Sequence, residues 1–223
     1  MFVGHYGAAF AAKRWAPRVS LGVLFVAVQL VDVLFCLALL TGVEKMRIVP
    51  HFTAYNPYDL YSMPWTHSLL AAIGWSLLAA IGWAIFGARE DRARASIVVG
   101  LAVLSHWLLD LPMHTPDLQL VPWSATRVGF GHWHHRGVSL ACELVVLLFG
   151  VGLYVWALPA HTERGRRRVW AFVALLVVLG AVTPFLPDPP GIVVWSLQAL
   201  FAYVALAWVA ARVDRARAHK PVT

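Results

Sequence analysis

Charged residues are scarce in this chain: they make up 13% of its 223 residues, whereas hydrophobic residues make up 60%. A soluble globular domain carries about 25% charged residues, so this composition excludes that class. One crossing of a lipid bilayer needs about 20 apolar residues, and six crossings leave room only for loops and ends. We therefore expect residues 1–223 to form a single integral membrane domain, without a second sizeable soluble domain.

Several common functional signatures are also missing. The two cysteines, Cys36 and Cys142, lie in apolar runs, which favours small core residues over a disulfide or a metal pair. There is no Gly-x-Ser-x-Gly nucleophile elbow, no Gly-x-x-x-x-Gly-Lys-Ser/Thr phosphate loop and no His-Glu-x-x-His zinc motif. These absences argue against elbow-type serine hydrolases, P-loop nucleotide binding and zincin-type metalloproteases.

The long apolar runs predict an all-α, polytopic membrane helix bundle of about six spans. A shorter N-terminal segment, residues 1–17, is predicted to be a half-helix that either re-enters the bundle or lies at the membrane interface. The spans are expected at residues 19–41, 67–87, 95–111, 138–158, 169–186 and 191–211.

The basic residues are concentrated on one side of this six-span arrangement. Fourteen of the 18 Lys and Arg residues fall there: Lys13, Arg14 and Arg18; Arg89, Arg92 and Arg94; Arg164, Arg166, Arg167 and Arg168; and Arg212, Arg215, Arg217 and Lys220. Because cytoplasmic loops carry an excess of Lys and Arg, this distribution predicts that both terminal basic segments are cytoplasmic. No basic stripe with interleaved aromatic residues indicates nucleic-acid binding.

Three acids, Asp32, Asp110 and Glu143, fall inside the predicted spans, where ionisable groups are costly and usually functional. His106 and Asp110 are four residues apart and share one helix face, and His67 opens the second span at the same depth. Imidazole and carboxylate groups are preferred ligands of Zn²⁺, Mn²⁺ and Fe²⁺, so these side chains are candidate metal ligands. Two alternatives stay open: a His–Asp hydrogen bond between helices, and an interfacial position for His67.

The role of His5 depends on the path of the N-terminal segment. A helix from His5 to Trp15 would be about 15 Å long, and Pro17 then breaks the helix. The stretch of the first span from Arg18 to Asp32 would be about 21 Å long. If the N-terminal segment folds back against the first span, His5 and Asp32 reach similar depths. Without that hairpin, His5 is simply cytoplasmic and Asp32 is a neutral acid bonded to a neighbouring helix.

Several further residues are weaker candidates. His114 and Asp117 follow Pro112, and His114 would extend the metal-binding face if the helix continues past that proline. A turn before the fourth span holds three histidines that either bind metal or form a solvated interfacial turn: His132, His134 and His135. Glu143 is a candidate proton acceptor or supporting acid, with an ordinary pairing to Arg136 or a helix neighbour as the alternative.

The residues that carry these predictions resemble a known family. Gly4-His5, Asp32, Thr66-His67-Ser68-Leu69-Leu70 and Ser105-His106-Trp107-Leu108-Leu109-Asp110 occur in that order, as in the YdjM-like membrane-bound, metal-dependent hydrolases. This family, also described as LexA-binding and inner membrane-associated, is itself distantly similar to zinc-dependent phospholipase C and P1 nuclease.

The resemblance covers nearly the whole chain. It implies that His5, Asp32, His67, His106 and Asp110 bind a divalent metal, most simply Zn²⁺, with Mn²⁺ or Fe²⁺ as alternatives. It also implies a location in the bacterial inner membrane and a re-entrant N-terminal segment. Asp32 stands in Val-Asp-Val, without the second acid and histidine of a Pro-Asp-x-Asp-His pattern, which argues against a full multi-metal cluster. The resemblance does not carry metal binding over to the turn that contains His132.

Three functions are open at this point. The first is a metal-dependent hydrolase whose site faces the outer side of the membrane, where metal-activated water attacks an ester or phosphoester of a lipid or small molecule. Its catalytic residues would be Asp32, Asp110 and Glu143. The second is an ion or small-solute transporter, and the third is a non-catalytic scaffold whose His–Asp pairs hold helices together. Membrane lipids and a small-molecule or lipid substrate are the expected partners, nucleic acid is not expected, and the sequence does not indicate an oligomeric state.

Overall fold

The computed structural model describes residues 1–218 and is a helical bundle. Within those residues there are seven α-helices, six of which are long and apolar enough to cross a membrane. The helices are α1 (Val3–Ala12), α2 (Leu21–Leu40), α3 (Leu69–Phe86), α4 (Arg92–Met113), α5 (Arg136–Ala157), α6 (Glu163–Val182) and α7 (Ile192–Ala218). The predicted all-α bundle of six spans is therefore confirmed. Lys220 and the side chain of Arg217, both assigned to the basic tail, lie outside the described residues.

Two short antiparallel hairpins interrupt the helices. Strands β1 (Lys45–Ile48) and β2 (Tyr58–Ser62) pair between α2 and α3, and β3 (Leu118–Gln119) pairs with β4 (Arg127–Val128) between α4 and α5. We call the end of the bundle with the β1–β2 hairpin the hairpin end. The opposite end, where α1 turns into α2, is called the basic end because the basic segments lie there.

The helix bounds follow from local sequence. Ser20, Ser68 and Thr162 precede α2, α3 and α6, and each side chain accepts a hydrogen bond from a backbone N–H of the first turn. The fifth span was predicted to begin at residue 169. It begins at Glu163 instead, because this carboxylate pairs with Arg166 and Arg167 one turn later and keeps the basic segment helical.

The N-terminal helix α1 is inserted into the bundle, as the re-entrant prediction required. Its residues are largely buried, and it packs mainly against α5, α2 and α4. The closest approach is at Gly7 of α1 and Gly150 of α5, where a Cβ on either glycine would collide with the backbone of the other helix. Two glycines at this crossing therefore allow α1 to reach the interior of the bundle.

A buried ion pair holds the turn between α1 and α2 at the basic end. The ammonium group of Lys13 donates to Asp214 Oδ2 on α7 at 2.7 Å and to the carbonyl of Val19 at 2.6 Å. The same carboxylate accepts from the backbone N–H of Leu21 and from the hydroxyl of Tyr154 on α5. This clamp ties α1, α2, α5 and α7 together, so the inserted helix has a fixed depth.

Between the clamp and the hairpin end the bundle is filled by aromatic side chains. Tyr6 stacks on Phe25 with ring centroids 4.3 Å apart, and Phe10 contacts both Phe25 and Tyr154. Phe172 of α6 closes the same cluster. We call these five residues the aromatic core, and they separate the basic end from the polar residues near the hairpin.

Candidate metal centre

The five ligands that the family resemblance implied lie together in the interior of the bundle. His5 comes from α1, Asp32 from α2, His67 from the segment before α3, and His106 and Asp110 from α4. The side chains of the three histidines and Asp110 are at most 3% exposed, and that of Asp32 is 16% exposed. Four separate chain segments therefore contribute to one cluster, which is the arrangement that the half-helix hypothesis required.

Asp110 lies at the centre of this cluster. Its Oδ2 is 3.1 Å from His106 Nε2 and 3.9 Å from His67 Nε2, and its Oδ1 is 3.2 Å from His5 Nε2. The amino group of Met1 also lies within hydrogen-bond distance of Oδ1. One buried carboxylate is therefore surrounded by nitrogen atoms from α1, α4, the segment before α3 and the N-terminus.

The orientation of His106 is fixed by the backbone of α2. Its Nδ1 lies 2.7 Å from the carbonyl oxygen of Val28. A carbonyl only accepts hydrogen bonds, so Nδ1 carries the proton and the neutral ring has a lone pair on Nε2. That atom points at Asp110 and at Asp32 Oδ1, 3.5 Å away, yet makes no hydrogen bond in the described structure.

His67 is oriented in the same way, through a hydroxyl group. The hydroxyl of Thr66 donates its single proton to the buried carboxylate of Glu44 at 2.6 Å. It must therefore accept from His67 Nδ1, which lies 2.8 Å away. The Nε2 lone pair of His67 then faces Asp32 Oδ1 at 3.4 Å. Backbone N–H groups of Trp65 and Thr66 also donate to Glu44, which fixes this carboxylate in turn.

His114, just past the end of α4, is a third histidine whose Nδ1 is fixed by an oxygen atom. The helix continues through Pro112 to Met113, so His114 stays close to the face that carries Asp110. Its Nδ1 lies 2.8 Å from Asp117 Oδ1, and the other oxygen of Asp117 accepts from Thr115. Its Nε2 is 3.5 Å from Asp110 Oδ2. The structure thus brings both weaker candidates, His114 and Asp117, to the cluster.

The chemistry of these atoms fits a divalent cation. Lone pairs of imidazole Nε2 atoms face lone pairs of carboxylate oxygens, and a cation between them would satisfy both. Two overlapping sets of three ligand atoms lie within 4.8 Å of one another and share His106: His5, Asp32 and His106, and His67, His106 and Asp110. Carboxylate or carbonyl partners behind ligating histidines are typical of protein metal sites.

The ring of His5 adds to this case. It stacks on His106 with centroids 3.9 Å apart and planes 9° apart, and both of its nitrogens are buried without a hydrogen bond. Two stacked imidazolium cations would repel each other strongly at this distance. His5 is therefore a buried ring with two unbonded nitrogens beside the other candidate ligands.

Glu143 lies next to the cluster, but it has a structural contact that the sequence did not predict. Its two oxygens accept from the backbone N–H groups of Phe2 at 2.7 Å and Gly4 at 2.6 Å, the first N–H groups of α1. The hydroxyl of Tyr55 is 3.5 Å away, and burial raises the pKa of this phenol, which keeps it a donor. Glu143 thus caps the N-terminus of α1 and fixes the helix that carries His5.

The turn with three histidines does not join the cluster. His132–His134 form a short 3₁₀ helix, and His134 and His135 are exposed. His132 Nδ1 lies 3.9 Å from Cys142 Sγ, whereas its carbonyl accepts from the hydroxyl of Ser139. Among the described residues, none of these three histidines belongs to a group of three or more metal-binding side chains.

A cavity of about 850 Å³ leads away from the cluster. Asp32, His67, Asp110 and His114 line its inner end. Its walls are α7, the 51–58 loop of the β1–β2 hairpin and the 183–190 loop between α6 and α7. Since exposed residues such as Phe185 are part of the lining, the cavity reaches the surface of the bundle.

Sequence reasoning did not identify the groups that orient the histidines. Glu44 is 22 residues away from Thr66 along the chain, and Val28 is 78 residues away from His106. Neither residue stands in a recognisable pattern with its partner. Thr66 directly precedes His67, and this hydroxyl beside a candidate ligand was the one available signal.

Comparison with known proteins gives one match. The family model of the YdjM inner membrane proteins matches residues 4–189. This region contains all five ligands implied by the resemblance, together with His114, Asp117 and Glu143. No curated protein and no solved structure matches the chain.

Proposed function

The chain belongs to the YdjM inner membrane protein family, and from this premise we propose that it is a metal-dependent hydrolase that acts on an ester or phosphoester bond. The observation that carries the proposal is the convergence of oriented Nε2 atoms from His67, His106 and His114 on Asp110, at the inner end of a cavity. Such a donor set suits a divalent ion of the Zn²⁺ type.

The residues of the cluster would have different roles in metal binding. His67, His106 and Asp110 form the first set of ligands, and His5 and Asp32 extend it through the shared His106. A bound divalent ion of this type supplies a water whose pKa is lowered to about 7. The side chains of the cluster are buried, and the cavity is where water and substrate would reach them.

We assign the proton acceptor to Asp32 rather than to Glu143. Both carboxylates line the cavity. Asp32 Oδ1 faces His67 and His106 and would be the ligand atom, whereas its Oδ2, which accepts from the hydroxyl of Tyr203 at 3.1 Å, would take the proton. Both oxygens of Glu143 already accept backbone N–H groups of α1, so taking a proton there would weaken the cap. Asp110 lies among four imidazoles, those of His5, His67, His106 and His114, and would act as a ligand of the ion rather than as the proton acceptor.

The basic segments support an orientation of the site. The hairpin end is opposite the basic end, so the positive-inside rule supports a cytoplasmic position for both ends of the span array and an outer position for the cavity. The aromatic core lies between the cluster and the basic end. This packing argues against the transporter hypothesis, since a path for ions would need polar residues through that region.

The test combines metal content with hydrolysis on the same samples. The detergent-purified chain is expected to carry a stoichiometric divalent metal by elemental analysis. It is also expected to cleave bis(4-nitrophenyl) phosphate or 4-nitrophenyl butyrate. Asp110→Asn should lose both properties, whereas Asp59→Asn, which alters a carboxylate of the β1–β2 hairpin outside the cluster, should keep both.

Two results would overturn the proposal. Equal metal content in the Asp110→Asn variant and the native chain would remove the metal site. A metal-loaded chain without either hydrolytic activity would leave a metal-stabilised scaffold, the third hypothesis, as the better account.

A further inference from the structure

The cavity is much larger than a metal ion and its water require. One water occupies about 30 Å³ of liquid volume, whereas this cavity measures about 850 Å³. Sites that enclose organic ligands span about 300–1,000 Å³. The space beyond the cluster is therefore large enough for a substrate of lipid or drug size.

The cavity lies between α5 and α7, and we call this slot between the two helices the wedge. The two helices are joined at the basic end by the hydrogen bond from Tyr154 to Asp214. Nearer the hairpin end the α7 side of the cavity is lined by small residues, Ala199 and Ala202. Phe185 and Leu186 of the 183–190 loop line it too, and both are largely exposed. In a membrane protein, an apolar slot with exposed walls between two spans faces the lipid.

Arg136 is the only Lys or Arg that lines this cavity among the described residues. Its Nε donates to the carbonyl of Ala54 at 2.8 Å, and its guanidinium lies over the ring of Phe185, 5.1 Å from the centroid. No carboxylate of the described residues forms an ion pair with it, although Asp188 lines the same cavity. The remaining N–H donors of the Arg136 guanidinium are therefore available to an anion.

Arg136 and Glu143 are seven residues apart on α5. Seven residues are about two helical turns, so the two side chains share a face and are separated by about 10 Å along the axis. Glu143 is beside the cluster, and Arg136 is at the end of the helix. An anion bound at Arg136 would thus lie nearer the membrane surface than the bond that reacts.

We propose that the substrate is a membrane amphiphile whose anionic phosphate or carboxylate group binds Arg136 and whose apolar chain lies in the wedge between α5 and α7. This proposal rests on the hydrolase proposed above only in calling the amphiphile a substrate. Binding of the amphiphile does not require turnover. The ligand enters sideways from the lipid, with its charged group at the surface and its reactive bond toward the metal ligands.

The experiment measures lipid binding by native mass spectrometry of the detergent-solubilised full chain. The probes are phosphatidylglycerol, which is anionic, phosphatidylcholine with the same acyl chains, and soluble glycerol 3-phosphate. Arg136→Gln is expected to weaken phosphatidylglycerol binding about tenfold, the loss of a charge-assisted contact. Phosphatidylcholine binding should weaken less, because its choline cation neutralises the charge of the phosphate. Ala202→Phe fills the wedge and is expected to weaken binding of both diacyl lipids.

The control is Arg127→Gln at the same end of the bundle. Arg127 is also exposed and also donates to a backbone carbonyl, that of Tyr61, but it does not line the cavity. Equal effects of the Arg127 and Arg136 substitutions would overturn the anion site. Glycerol 3-phosphate binding as tightly as phosphatidylglycerol would overturn the apolar slot.

Metal content of the same samples separates this proposal from the previous one. A chain without metal that still prefers phosphatidylglycerol through Arg136 would refute the hydrolase and leave the binding site standing. A metal-loaded, hydrolytic chain that shows no lipid preference would refute only the site at Arg136.

Discussion

Two groups of histidines lie at the hairpin end, and they differ in how their rings are held. His67 and His106 are buried, and each has Nδ1 fixed by an oxygen that can only accept from it. His134 and His135, in a segment with more histidines per residue, are exposed on a short turn. The proposed metal site therefore rests on fixed tautomers that converge on a carboxylate, and not on the density of histidine along the chain.

The largest expected difference between the two groups is in bound metal. His106→Ala removes the ligand that both candidate sets share, and we expect its metal content to fall close to zero. Elemental analysis after gel filtration measures this. His134→Ala at the exposed turn is the matched control and should retain the native content. A metal content that falls equally in both variants would erase the distinction between the groups.

A second difference concerns the groups behind the ligands. Thr66→Val keeps the shape of the side chain but removes the hydroxyl that links His67 to Glu44. The metal dissociation constant should rise about 10–100-fold, the usual effect of losing such a supporting hydrogen bond. Competition with a chromogenic chelator measures it.

Thr41→Val is the control for that substitution. Its hydroxyl also makes short-range hydrogen bonds, to the carbonyls of Leu37 and Ala38, but it lies outside the cluster. An unchanged affinity in Thr66→Val would mean that the orientation of His67 is not set by the hydroxyl.

The fold could be predicted further from the sequence than the site. Uninterrupted apolar runs of about 20 residues dictate membrane helices because backbone polar groups must be satisfied within the segment. Pro17 and the matched lengths of two helical stretches left the re-entry of α1 open as one of two alternatives, and the family resemblance favoured it. Its exact packing, at Gly7 and Gly150, depends on a contact between residues 143 positions apart, which no local pattern encodes.

The site was predicted only as a set of residue types at suitable depth. His106 and Asp110 were found because a four-residue spacing places them on one helix face. The roles of Glu44, Thr66 and the carbonyl of Val28 were missed because they depend on tertiary contacts. Glu143 was predicted to handle protons, and its contacts with the first N–H groups of α1 add a structural role that only the three-dimensional arrangement reveals.

A third, smaller effect is expected from the cap of α1. Glu143→Gln keeps the size of the side chain but places an amide where two backbone donors need acceptors. Thermal unfolding should show a loss of about 1–3 kcal/mol in the free energy of unfolding, the cost of an unsatisfied buried group. Metal affinity should fall less than in Thr66→Val, since only His5 depends on α1. A Glu143→Gln chain that is fully stable and holds metal normally, yet is inactive, would instead support the catalytic role of Glu143.

The smallest effect is expected where the sequence is richest in histidine. The combined change of His132, His134 and His135 to alanine should alter metal affinity by less than about twofold, since none of these rings reaches the cluster. The turn could still bind metal through His132 Nδ1 and Cys142 Sγ, which are in contact, because a thiolate and an imidazole suit Zn²⁺. Chelator competition measures the metal affinity of the triple variant and of Cys142→Ser. A clear loss of one bound ion in both would mean that the exposed turn holds a second site and that burial is not what separates the two groups.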